Sequence, residues 1–118
     1  MKIIITGASG FLGSRFIEKV SRANNEIFAI SRSEKNKSFE NNENINWLVH
    51  DLSKGPIKKG SPIIADVLFH FSGATLGAKF DGQSYCLANE LSLVNILESD
   101  ISVNKIVFPS SQVVYGRI

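Results

Sequence analysis

The 118-residue sequence predicts an α/β domain, a parallel sheet of about five strands with flanking helices. Three observations predict it. Short apolar runs alternate with longer amphipathic stretches, the order expected of strands joined by crossover helices. Those runs are nearly continuous in hydrophobicity, as suits strands buried on both faces. The first of them leads straight into a glycine loop that opens an amphipathic segment. The length allows one core and excludes a separate substrate domain within these residues.

Taken in order, Ile3 to Thr6 is the first expected strand. Leu12, Phe16, Val20 and Ala23 then recur every three or four residues, which predicts a helix from Phe11 to Arg22 that packs one face on the sheet and ends at Asn24-Asn25. Ile27 to Ser31 and Ile45 to Val49 are the second and third strands. Between them, Ser33 to Asn44 is rich in Lys, Glu and Asn without an apolar period, so a loop is expected. Val67 to Ser72 is the fourth strand. Leu87, Leu91, Val94 and Leu97 carry a helical period through Gln83 to Ser99, a second helix for the opposite face or edge. Lys105 to Pro109 is the fifth strand, and no internal repeat is evident.

Composition narrows the partners. The net charge is +2, and the excess of Lys and Arg sits in the first half without clustering into a stripe, which argues against nucleic acid. A single cysteine, Cys86, allows no internal disulfide and no Cys pair for a metal. Met1-Lys2 runs directly into the first strand, with no leader pattern and no apolar run of membrane-spanning length, so a soluble cytoplasmic protein without membrane contact is expected.

The chemistry begins at Thr6-Gly7-Ala8-Ser9-Gly10-Phe11-Leu12-Gly13. Gly7 suits a sharp turn out of the strand, Gly10 a close approach of backbone to a pyrophosphate, and Gly13 close packing of the helix. The helix N-terminus beyond them offers unpaired N–H donors to an anion. Gly7, Ser9, Gly10, Phe11, Leu12 and Gly13 are therefore the expected phosphate-binding residues of a dinucleotide site.

With its T-G-x-x-G-x-x-G spacing, the chain resembles the short-chain dehydrogenase/reductase superfamily, in its extended branch of nucleotide-sugar epimerases and dehydratases. Further motifs in the same order support the resemblance over nearly the whole chain. It implies a Rossmann-type sheet of strand order 3-2-1-4-5. It also implies that Asp51-Leu52 holds an adenine, the carboxylate accepting from its amino group and the aliphatic chain packing nearby. Phe71-Ser72-Gly73-Ala74 would line the cofactor ribose, and Asn89 would be the helix asparagine that fixes the segment beside the active site. Ile106 to Gly116 resembles a fifth strand followed by a serine turn, with Ser110 beside the cofactor and Ser111 as the catalytic serine that hydrogen-bonds the substrate oxygen. His70, between Phe69 and Phe71 in a buried strand, is expected to be a satisfied core histidine and not a base.

The end of the second strand bears on which dinucleotide is bound. An acidic residue there would grip both ribose hydroxyls of NAD, whereas this chain has Ser31-Arg32. A hydroxyl and a guanidinium suit a 2′-phosphate, which favours NADP over NAD.

The resemblance also implies a catalytic Tyr-x-x-x-Lys pair that this sequence lacks. Tyr85 has Asn89 at the fourth position after it, and Tyr115 has only three residues following. Residues 1–118 are therefore expected to form a dinucleotide-binding domain incomplete at its C-terminal end, not catalytic alone. Self-association through the edge of the fifth strand, a separately encoded chain that completes the domain for a sugar-nucleotide substrate, and a disrupted gene product are all compatible with the sequence. A non-catalytic dinucleotide-binding sensor or interaction module is the alternative.

Overall fold

Strand β1 (Lys2–Thr6) occupies the centre of the sheet, and its sequence dictates that place: Ile3, Ile4 and Ile5 are all buried, so neither face of the strand tolerates water. The structure, a computed structural model, describes residues 1–32, 42–72 and 87–109. After β1 come helix α1 (Phe11–Val20), β2 (Glu26–Ser31), β3 (Ile45–Val49) and β4 (Ile63–His70). A single π-helical turn (Leu87–Leu91) then leads into helix α2 (Ser92–Leu97) and strand β5 (Ile101–Val107). The five strands form one sheet of order β3-β2-β1-β4-β5. Every pairing is parallel, with Ile4 level with Phe28 on one side and Leu68 on the other.

Each face of the sheet has its own core. Ile3, Ile5, Ile17, Ile27, Ala29 and Val67 form one, onto which Phe16, Val20, Phe69 and Phe71 pack. Phe16 is the hinge of that side, with its ring 4.4 Å from Phe69 and 5.5 Å from Phe71. The second core gathers Ile4, Ile30, Leu52, Ile57, Leu68 and Ile96. Helix α1 thus covers one face and α2 the other.

The helical faces differ from the expected ones. In α1 the buried positions are Gly13 and Ile17, while Leu12 and Ala23 are exposed. The helix is rotated because Gly13 lets it lie close, which turns Ile17 inward. It also ends at Val20, two residues short of Arg22, since the Asn25 side-chain amide donates to the Val20 carbonyl at 2.9 Å and closes the last turn. In α2 the inward residues are Ser92 and Ile96, followed by Ser99 beyond the helix. Leu91, Val94 and Leu97, three of the residues that carried the period, face outward. The helix stops at Leu97, not Ser99.

Two strands are also displaced. β4 begins at Ile63, four residues before Val67, and ends at His70, not Ser72. β5 runs from Ile101 to Val107, ahead of the expected Lys105 to Pro109. The reason is a change of pattern inside the strand. Ile63 and Ala65 pack in the second core, Val67 and Phe69 in the first, and Ile64 and Asp66 are exposed. The early half of β4 and its partner β5 are covered on one side only, so no continuous apolar run marks them. The expected loop at 33–44 falls mostly outside the described residues.

Between β3 and β4 the chain crosses without a helix, held by one polar knot. The Ser99 hydroxyl donates to the Asn95 carbonyl at 2.6 Å and accepts from the buried Ile57 amide at 2.8 Å. Next to it the Asp100 carboxylate accepts from the amides of Lys59 and Gly60. Those hydrogen bonds outweigh the effect of desolvation and, with the Lys58 charge nearby, hold the Asp100 carboxyl below its ordinary value. Among the described residues no helix is long and apolar enough to cross a membrane.

Removing the Ser99 hydroxyl leaves the Ile57 N–H buried without an acceptor. Ser99→Ala should cost about 1–3 kcal/mol, read as a lower urea midpoint at unchanged slope; an unchanged midpoint would show that water replaces the hydroxyl.

Candidate functional site

The segments that leave β1, β2, β3 and β4 converge on one cleft at the carboxyl end of the sheet. This is where an open parallel sheet leaves a crevice, because the connections from β1 and from neighbouring strands depart to opposite faces. The glycine loop forms its floor. Gly7 has φ +64, and a Cβ there would stand 2.6 Å from the Phe71 carbonyl carbon and oxygen. A Cβ on Gly13 would collide with the Gly7 carbonyl oxygen and reach 3.0 Å from the Ala8 Cα. Neither position can carry a side chain while loop, helix and β4 stay as close as they are.

Gly10 caps α1 in an extended conformation with no side-chain hydrogen bond. The first helical bond runs from the Ser14 amide to the Gly10 carbonyl at 2.9 Å. The amides of Phe11, Leu12 and Gly13 precede it and have no acceptor within the helix. Such a terminus attracts an anion. The side chains of Phe11 and Leu12 themselves point to solvent, Phe11 beneath the Arg15 guanidinium.

Across the cleft stand Arg32, just beyond β2, and Asp51, just beyond β3. One oxygen of Asp51, Oδ1, accepts from both the hydroxyl and the amide of Ser53, at 2.6 and 3.0 Å. Desolvation pushes the Asp51 carboxyl up, but the two Ser53 bonds and the Arg32 and Lys54 charges prevail and hold it below its ordinary value. It is a pinned carboxylate. Leu52, 3% exposed, lies beneath the cleft that it lines and packs in the second core, and its carbonyl accepts from the Asn95 side-chain amide at 2.6 Å.

Gly7, Ser9, Gly10, Ser31, Arg32, Asp51, Leu52, Phe71 and Ser72 all line this cleft. Phe11, Leu12 and Gly13 build its helical rim without lining the cleft. Asn89 lies apart in the π-helical turn, half-buried, with its carbonyl accepting from the Ser92 hydroxyl. Gly73, Ala74, Ser110 and Ser111 lie outside the described residues.

Four lining residues escaped sequence reasoning: Ile30, His50, Ser53 and Ser92. His50 joins two walls, its amide donating to the Ser31 carbonyl and its Nε2 to the Gly55 carbonyl, both at 2.8 Å. Its position directly before Asp51 was the available signal. Ser92 had none, since it arrives from 40 residues further on.

His70 is buried as expected, yet only half satisfied. Its Nδ1 lies 2.8 Å from the Thr6 hydroxyl, while Nε2 has no partner among the described residues. Burial lowers its pKa to about 4, so the ring is neutral at pH 7.

The model of the NAD dependent epimerase/dehydratase family matches residues 3–118. The chain belongs to that family. No curated protein sequence matches it. Among solved structures, a UDP-galactose 4-epimerase is similar at 26% identity and TM-score 0.76, covering 98% of this chain and 40% of that one. Two others share the fold. A mutant uronate dehydrogenase from Agrobacterium tumefaciens complexed with NAD is 19% identical, with TM-score 0.66 and coverage of 93% and 40%. A yeast methylglyoxal/isovaleraldehyde reductase complexed with NADPH is 16% identical, with TM-score 0.73 and coverage of 94% and 37%. The chain thus spans about two fifths of the length of these neighbours.

Two outcomes check the site. Gly13→Ala should destabilise by at least about 1–3 kcal/mol through overpacking, whereas Gly55→Ala, whose Cβ meets nothing within 4 Å, should stay within about 0.5 kcal/mol; equal thermal shifts would refute the close packing. His70 should titrate near pH 4 by ring-proton NMR. Its folded pKa lies below the ordinary histidine value of 6.5, so its stabilising contribution is complete above pH 6.5 and declines as the pH falls towards 4.

Proposed function

We propose that the cleft binds an NAD(P) dinucleotide and that NADP is preferred over NAD. The observation that carries the reading is the glycine cradle. Gly7 and Gly13 exclude side chains where loop, helix and β4 meet, and the first turn of α1, which no side chain caps, begins at the same loop. A Cβ on Gly10 would meet only the Gly7 carbonyl oxygen, at 3.2 Å. The chain therefore presents bare backbone where a pyrophosphate must approach, and this fits the group that the family's name carries.

Gly7, Ser9 and Gly10, with the amides of Phe11, Leu12 and Gly13, would hold the pyrophosphate. Asp51 has Oδ1 saturated by Ser53, which leaves Oδ2 to accept from the adenine amino group, with Leu52 beneath it. Arg32 and Ser31 would take a 2′-phosphate. An acidic residue at that place would repel the phosphate, whereas a guanidinium can grip it with two parallel hydrogen bonds. Phe71, Ser72, Gly73 and Ala74 would border the ribose, with Asn89 and Ser110 supporting that side.

A bound nicotinamide supplies a centre that accepts or returns a hydride. The likeness to a UDP-galactose 4-epimerase supports a sugar-nucleotide hydroxyl as the group oxidised, with Ser111 orienting it.

The test is a titration of the chain with NADPH and NADH, by cofactor fluorescence and melting temperature together. Saturable binding, tighter for NADPH, is expected. Arg32→Ala should weaken NADPH by about tenfold to a hundredfold and leave NADH nearly unchanged. Equal losses for both cofactors would overturn the 2′-phosphate assignment, and no binding of either would overturn the dinucleotide reading.

A further inference from the structure

The buried pair Thr6 and His70 lies directly behind the cleft wall, at the carboxyl ends of β1 and β4. Thr6 is fully buried and His70 is 1% exposed. The Thr6 oxygen makes two contacts, 2.8 Å to His70 Nδ1 and 3.2 Å from the Ser72 amide. An amide can only donate, so the hydroxyl oxygen accepts from Ser72. The single hydroxyl proton then needs an acceptor, and among the described residues the only one offered is Nδ1.

Counting unpaired groups decides the tautomer. If Nδ1 carried the ring proton, both the Thr6 O–H and the Nε2 lone pair would be buried without partners. If Nε2 carries it, only one buried group, the Nε2 N–H, is left unpaired among the described residues; Nε2 lacks a partner in either tautomer, so the Thr6 proton is what decides. A buried unpaired polar group is costly enough to select the second arrangement. The neutral ring, stacked on Phe108 at 5.7 Å between centroids, remains available as an acceptor.

We propose that His70 is a positioning residue of the cleft: its unprotonated Nδ1 accepts a hydrogen bond from the Thr6 hydroxyl, and the Thr6 oxygen so oriented holds the Ser72 amide at the cleft wall. The relay acts at a sensitive place. Ser72 lines the cleft, and the Phe71 carbonyl just before it stands against Gly7. The Phe71 amide is tied only loosely to the Thr6 carbonyl, at 3.3 Å. The side-chain relay is therefore the second tether on the segment that leaves β4, and it crosses from β1 at the cradle itself. In its effect on ligand, the proposal rests on the dinucleotide reading of the cleft.

The test uses the full chain and two pairs of variants. His70→Phe fills the space without an acceptor, while His70→Asn places a carbonyl oxygen near Nδ1. Thr6→Val removes the hydroxyl at equal volume, and Thr6→Ser retains it. Nitrogen NMR of the wild-type ring should show Nδ1 unprotonated and Nε2 protonated. The Ser72 amide should exchange with solvent about three- to tenfold faster in His70→Phe and Thr6→Val, and return towards wild type in His70→Asn and Thr6→Ser. Affinity for NADPH should follow the same order and similar factors. An Nδ1-protonated ring, or Ser72 exchange unchanged in Thr6→Val, would overturn the relay. Wild-type binding that neither His70→Phe nor Thr6→Val alters would overturn its role at the cleft. Failure of the wild-type chain to bind either cofactor would instead overturn the dinucleotide reading and the effect on ligand with it, while Ser72 exchange would still decide the relay.

Discussion

Everything at the carboxyl end of the sheet depends on how closely three pieces of backbone meet at Gly7. The loop after β1, the first turn of α1 and the segment after β4 approach within distances that no Cβ at positions 7 or 13 could share. The approach sets the height of α1 above the sheet, and this height in turn makes Ile17, not Leu12, the residue that enters the core. It also leaves the helix terminus uncapped over the cleft. A side chain at Gly13 would push the helix away from the loop, and one at Gly7 would push the loop away from the segment after β4, so either would reshape the cleft. Stability and binding geometry are here one constraint.

The polar groups of the site are held with the same economy. Asp51 is fixed by Ser53, two residues on, and His50 ties the end of β2 to the turn that carries both. Ser72 is fixed through Thr6 by His70, which comes from the neighbouring strand. These contacts place the cleft's walls on strands β1 to β4, which pair in parallel around β1, buried from Ile3 to Thr6. The far side is different. β5, like β3, is an edge strand among the described residues, and Ile106 within it and Phe108 just after it are exposed.

Much of this was legible in the sequence. Parallel topology followed from continuous apolar runs, and most of the cleft followed from the glycine spacing together with Ser31-Arg32, Asp51-Leu52 and Phe71-Ser72. The boundaries of β4 and β5 were not legible, because a strand covered on one side alternates and then changes phase, as at Asp66. The inward face of α2 was hidden for a related reason. Its buried residues include Ser92 and, just past its end, Ser99, and a serine becomes a core residue only when a particular carbonyl or amide waits for its hydroxyl.

The sequence by itself determined the order of strands and helices, the glycine cradle and the residue types at its rim, since local pattern and backbone sterics act over a few residues. Only the tertiary structure decided which face of each helix turns inward, that Ser53, His50 and Ser92 belong to the cleft, and that Thr6 and His70 form a single buried unit. Hydrogen bonds between residues some 64 positions apart have no periodicity to announce them. They exist because parallel pairing brings Thr6 and His70 level on adjacent strands, and register is a property of the folded sheet.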